Sequence, residues 1–168
     1  EETNLNALTT LSASVAQKAI SNGETATLDD IISSAKTTVA TSLGIQADNI
    51  DKDYLKAKDP TSLSAAAQVT SVLNVVSSTA GGSNSSNDAL DSFAELLTES
   101  SGSVDLTSTT AMTSIIEKAA EKAGTLSDIS NNISNVASIT TNVITSIQAI
   151  DTTSCLLYTS DAADEERG

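Results

Sequence analysis

From Leu5 to Ile150 the apolar residues recur every three or four positions, in runs broken by glycine or by clusters of serine, asparagine and aspartate. That is the period of amphipathic helices; strands would alternate. Leu5, Leu8, Leu11, Val15 and Ala19 share one face, and Asn22-Gly23 supplies a stop. A second helix is predicted to open at Thr27, with Asp30 completing a capping-box-like pair. Leu28, Ile31, Ile32, Ala35, Val39 and Leu43 form its apolar face, and Gly44 ends it. Residues 45–58 read as a charged connection with at most one helical turn around Tyr54 and Leu55. Asp59-Pro60 opens a third helix, because aspartate caps and proline suits the first helical position. Its face is Leu63, Ala66, Val69, Val72, Leu73 and Val76.

Gly81-Gly82-Ser83-Asn84-Ser85-Ser86 has the composition of a flexible linker. A short helix follows, burying Leu90, Phe93, Ala94 and Leu97 and broken by Ser100-Ser101-Gly102. Val104-Asp105-Leu106-Thr107 leads into a fifth helix with Met112, Ile115, Ile116, Ala119 and Ala123 inward, stopped by Gly124. Thr125 is expected to cap a long last helix. In it Leu126, Ile129, Ile133, Val136, Thr140, Val143, Ile147 and Ile150 alternate three and four apart, as in a heptad seam. One face of a bundle helix explains this seam better than a coiled coil between chains. The whole pattern predicts an all-α bundle of about six helices.

The last residues change the counts. Cys155-Leu156-Leu157-Tyr158-Thr159-Ser160-Asp161-Ala162-Ala163-Asp164-Glu165 resembles the in-frame translation of a transposon-based sequencing adapter. Residues 155–168 are therefore expected to be a non-native tail and are set aside from fold reasoning. The chain opens on Glu1, not methionine, so both ends are expected to be cut, as in a metagenomic fragment. One helical domain over residues 1–154 is expected, with a possible sub-boundary at 81–86. The tail takes with it the single cysteine, the single arginine and one of the two tyrosines. The core must then be built from small aliphatic side chains, which let helices approach to about 8 Å.

Charge and chemistry narrow the function. The chain carries 22 acidic and 8 basic residues, a net charge of −14. Such a balance argues against nucleic acid, whose phosphates need clustered lysine or arginine. No run of about 20 apolar residues is present to span a membrane. There is no histidine, and Cys155 lies in the tail. Ser-His-Asp and Cys-His catalysis are thus excluded, and zinc loses its usual ligands. The carboxylate pairs Asp29/Asp30 and Asp88/Asp91 both fall at predicted helix starts, where the helix dipole already accounts for them. Asp48-Asn49-Ile50-Asp51-Lys52-Asp53 is rich in oxygen but lacks the ligand spacing, glycine and terminal glutamate of an EF-hand loop. Gly81-Gly82 lacks the Gly-Lys-Ser/Thr of a phosphate loop. Asn84-Ser85-Ser86 and Asn132-Ile133-Ser134 match the glycosylation triplet, the second inside a predicted helix. No catalytic, cofactor-binding or metal-binding residue is assigned, and no cofactor is expected.

Asn6-Ala7-Leu8-Thr9-Thr10-Leu11 is similar to the "PLTTL" opening of helical modules in large bacterial surface and secreted proteins, which often carry immunoglobulin-like, cadherin-like or calcium-binding repeats. The Leu43-Gly44-Ile45 helix end, Ala67-Gln68-Val69 and Val104-Asp105-Leu106-Thr107 recur in the same order in such modules. The resemblance covers most of residues 5–150 and departs at Ala7, where the pattern usually has proline. It implies an extracellular or cell-surface setting, a spacer or adhesion-associated role, and neighbouring domains of the same polypeptide as partners. An amphipathic lipid- or surface-binding protein is the alternative. The acidic polar faces and scarce lysines and aromatics count against it.

Overall fold

A computed structural model describes residues 6–150. The tail, residues 155–168, and the first apolar position, Leu5, lie outside the described residues. Among the described residues seven α-helices make an all-α bundle: α1 (Ala7–Ser21), α2 (Leu28–Leu43), α3 (Pro60–Ala80), α4 (Ser85–Glu99), α5 (Thr109–Ala123), α6 (Leu126–Ile129) and α7 (Ile133–Gln148). A short 3-10 turn covers Ala47–Asn49, and Ala57 N–H bonds to Asp53 O in one further turn around Tyr54.

The local signals explain most boundaries. The Asn6 side chain accepts from Leu8 and Thr9 N–H at 2.8 and 3.0 Å, and Thr9 Oγ1 accepts from Asn6 N–H, closing a reciprocal box. Ala7 takes the first helical position, the place proline favours. Thr27, Asp59 and Ser108 cap α2, α3 and α5 through their side chains. Gly44 and Gly124 end α2 and α5 in the left-handed conformation, at φ +70° and +74°, which costs glycine nothing.

α3 packs on α1, α4, α5 and α7, while α4 packs on α1, α2, α3 and α5. The core between them is continuous. Leu8, Leu11, Val39, Ile50, Val69, Val72, Phe93, Leu97, Met112, Ile115, Ile116 and Ile144 are fully buried. Each such side chain stabilises the fold by roughly 1.5–3 kcal/mol relative to exposure. Alanines 65, 66, 80, 89, 94, 119, 120 and 137 fill the gaps, as a core almost without aromatics requires.

Three expectations change. The final helix is two, because Ser130, Asn131 and Asn132 form a turn between α6 and α7. Such side chains compete with the backbone for its own hydrogen bonds. The buried stripe of α7 is then Ile133, Ala137, Thr140, Thr141 and Ile144, the 3.6-residue period of a bundle helix. Val143 and Ile150 of the expected seam are exposed. On α2, Leu28 and Ile32 are also exposed; this helix packs chiefly on α1, and the stripe Ile31–Ala35–Val39 suffices. Finally, the segment 81–86 is a four-residue corner, since Ser85 and Ser86 already belong to α4. The corner is pinned: Thr125 Oγ1 donates to Ala80 O at 2.7 Å, and a Cβ on Gly82 would sit 3.6 Å from that of Ala123.

A candidate functional site: lysines and carboxylates across three helices

The densest polar chemistry lies where α1, α4 and α5 meet. Asp91, Glu95 and Glu99 are four residues apart on α4, so they stack along one face. Lys118 and Lys122 are likewise one turn apart on α5, and Lys18 comes from α1. Lys122 Nζ lies 3.0 Å from Asp91 and 3.1 Å from Glu95. Lys118 Nζ lies 3.7 Å from Glu95 and 2.8 Å from Glu99. This register requires α4 and α5 to run antiparallel. Lys18 Nζ completes the cluster, 3.1 Å from Asp91 and 2.5 Å from Glu95. Three positive and three negative groups thus bind three helices with no net charge.

The titration of these groups shows what they can do. Partial burial works against the charge on Lys18, but hydrogen bonds to Glu95 and Asp91 and their attraction outweigh it, and the lysine pKa is raised. Lys122 is raised by the same balance. Burial likewise opposes ionisation of Asp91 and Glu95, yet hydrogen bonds from Lys18 and Lys122 and their charges hold both carboxyls below the usual range. At neutral pH all four stay charged. A general acid or base is poised near the working pH, and these shifts run the other way. The chemistry of the cluster is cohesion between helices.

The residues singled out in the sequence are placed apart from one another. Asp29 and Asp30 lie in the first turn of α2, where Thr27 Oγ1 donates to Asp30 at 2.7 Å. Asp88 lies in the first turn of α4. Asp91 does not; it sits nearly two turns in, and its carboxylate belongs to the cluster, which corrects its assignment to the helix start. In the loop 45–59, Lys36 pairs with Asp51, Asp53 accepts from Leu55 and Lys56 N–H, and Asp59 accepts from Asn49 Nδ2 at 2.8 Å and Ser62 Oγ at 2.5 Å. Among the described residues no group of three or more carboxylate, histidine or cysteine side chains is placed to hold a metal ion. Asn84 precedes α4, and Asn132 precedes α7 in the turn, not inside a helix. Glu95 and Lys18, the centre of the cluster, went unnoticed in the sequence. The signal available was the four-residue spacing of acids on one helix and lysines on another.

Beside the cluster an open cleft of about 560 Å³ runs between α1 and α4, lined by Thr10, Ser14, Gln17, Lys18, Asn87 and Asp91 among others. Of its three charged groups, Lys18 and Asp91 are bound to each other, and Asp88 accepts from Asn84 Nδ2 at 3.4 Å. No family model matches the chain, and no curated protein or solved structure matches it.

Proposed function

We propose that this chain is a non-catalytic structural and interaction module of a larger extracellular or cell-surface bacterial protein, acting as a spacer or adhesion-associated domain. The observation that carries this reading is the use of polar chemistry within the fold. The charged cluster joins α1, α4 and α5. Buried hydroxyls bond back into their own helices at Ser12 (to Leu8 O), Ser92 (to Asp88 O) and Thr140 (to Val136 O), and Ser62 donates to the capping Asp59. Among the described residues no buried side-chain nitrogen or oxygen is left without a partner. Side chains spent on cohesion suit a part whose task is to hold shape beside other domains. No helix of the described residues is long and apolar enough to cross a membrane, which fits a module carried by its neighbours.

The test is a module exchange in the longer polypeptide, displayed on its own cell. Replacing residues 6–150 with an unrelated neutral-surfaced helical bundle, with similarly placed ends, is expected to preserve adhesion. A membrane-impermeant label should reach the native module on intact cells. Loss of adhesion on exchange would mean that a specific ligand is bound here, and labelling only after lysis would place the module inside the cell.

A further inference from the structure

α1 ends on Asn22-Gly23, and no other asparagine of the sequence is followed by glycine. That order has a chemical meaning. A backbone nitrogen that loses its proton can attack the side-chain amide carbon of an asparagine just before it and close a succinimide ring. A β-carbon on the residue that carries the nitrogen crowds the attack, and glycine has none. The structure leaves room for the reaction. Asn22 and Gly23 are both exposed, and among the described residues nothing lies within 4 Å of where a Cβ on Gly23 would stand. Gly23 sits at φ +86°, so the turn itself selects the residue that makes Asn22 vulnerable.

The same turn holds the reaction back. Gly23 N–H donates to Ile20 O at 3.0 Å, and Glu24 N–H donates to Ala19 O at 3.1 Å. The Gly23 nitrogen must leave its hydrogen bond before it can lose its proton. Both bonds close the last turn of α1, and an exposed helix end is where a fold opens most readily.

We propose that Asn22 is a self-modifying site, converted by water to aspartate and isoaspartate whenever the last turn of α1 opens. Hydroxide takes the proton of Gly23 N–H. The nitrogen adds to Asn22 Cγ and the bond from Cγ to Nδ2 breaks. Ammonia leaves with a proton from water, which restores the hydroxide. Water then opens the ring at either carbonyl. Breaking the bond between Cγ and the Gly23 nitrogen gives aspartate. Breaking the bond between that nitrogen and the backbone carbonyl carbon gives isoaspartate, whose main chain runs through Cγ and is longer by a methylene.

Either product places a carboxylate at the negative end of the α1 dipole, in a cleft that already holds Asp88 and Asp91. Lys18 is one turn back and lines the same cleft, but it is already shared between Asp91 and Glu95. The new carboxylate either goes unpaired or draws Lys18 from the cluster, and both loosen α1 on α4. Isoaspartate goes further, because its added methylene displaces the two N–H groups that close the turn.

The experiment is prolonged incubation of the folded full chain in neutral and in mildly alkaline buffer, followed by peptide mass spectrometry. The peptide carrying Asn22 should gain the mass of an amide turned to an acid before any other asparagine peptide does, and sooner in the alkaline buffer. Isoaspartyl methyltransferase should label the product at that peptide. Asn22→Gln, whose longer side chain closes a ring far less readily, should remove both signals. The chain unfolded in guanidinium should react roughly two- to tenfold faster, as the loss of one hydrogen bond implies. Asn22→Asp should lower the folding constant roughly two- to fivefold, and the purified isoaspartate form should lower it more. No mass gain at Asn22, earlier gain at another asparagine, or equal rates in the folded and unfolded chain would overturn the proposal. So would a modified chain as stable as its parent.

Discussion

Thr140 has no exposed surface, yet its hydroxyl is satisfied by Val136 O at 2.7 Å, one turn back in its own helix. Such a bond adds little to a helix, because the carbonyl already accepts from the backbone. Thr140→Val keeps the shape and removes the hydroxyl, so stability should change by less than about 1 kcal/mol in either direction. Ile133, two stripe positions earlier, is 4% exposed and belongs to the hydrophobic core. Ile133→Asp would bring a carboxylate into the core and should unfold the domain. Chemical denaturation followed by circular dichroism checks both. A folded Ile133→Asp protein would show that α7 is not held by its inward stripe. The two residues were placed on one seam by the sequence pattern, and the structure does bury both. The same pattern failed at Val143 because a 3–4 alternation serves both a straight bundle helix and a heptad, which diverge after two turns.

At the scale of elements, Glu95 matters most, because it touches all three lysines of the cluster. Glu95→Gln should cost about 1–2 kcal/mol, the low end for a hydrogen-bonded charge, since solvent screens a partly exposed group. Its pH dependence identifies the cause. The folded pKa of Glu95 is lowered, so its contribution is full above the unfolded value of about 4.3 and is lost as pH falls through the folded one. Lys18 and Lys122 are raised, so theirs is full below about 10.4 and is lost as pH rises through their folded values. The stability gap between parent and Glu95→Gln should be flat between those limits and close on acidification below about pH 4. A gap that persists at pH 2 would mean that shape, not charge, sets the cost. Several helix starts and stops were legible because caps are local: Thr27, Asp59, Gly44 and Gly124 act within one turn. The cluster was not, because Lys18 and Glu95 are joined only after α1 and α4 pack, and no pattern within one helix announces that.

Across the whole molecule, the corner at Gly81 couples the two halves of the chain. α1 packs on α4 and α3 on α7, so contacts cross that corner in both directions. Thr125 Oγ1 ties the start of α6 to the end of α3. Thr125→Val should lower stability by about 1 kcal/mol and leave one cooperative transition. Amide exchange in which residues 7–80 and 85–148 open at separate denaturant midpoints would show two units instead. The glycine-rich composition concealed this, because a flexible linker and a tight corner use the same residues. The path of the chain has a mechanical consequence. Asn6 Nδ2 donates to Ile50 O at 3.3 Å, after the 3-10 turn that follows α2, and Gln148 shares a cleft with Ser42, Leu43 and Gly44 at the end of α2. The bundle is entered and left from one side. If the chain sits within a longer polypeptide, as proposed, a pull on that polypeptide would reach α1 and α7 from one end of the bundle and open them turn by turn. Once opened, residues 6–150 would release roughly 500 Å of chain, so the module that adds little length when folded holds a long reserve of slack.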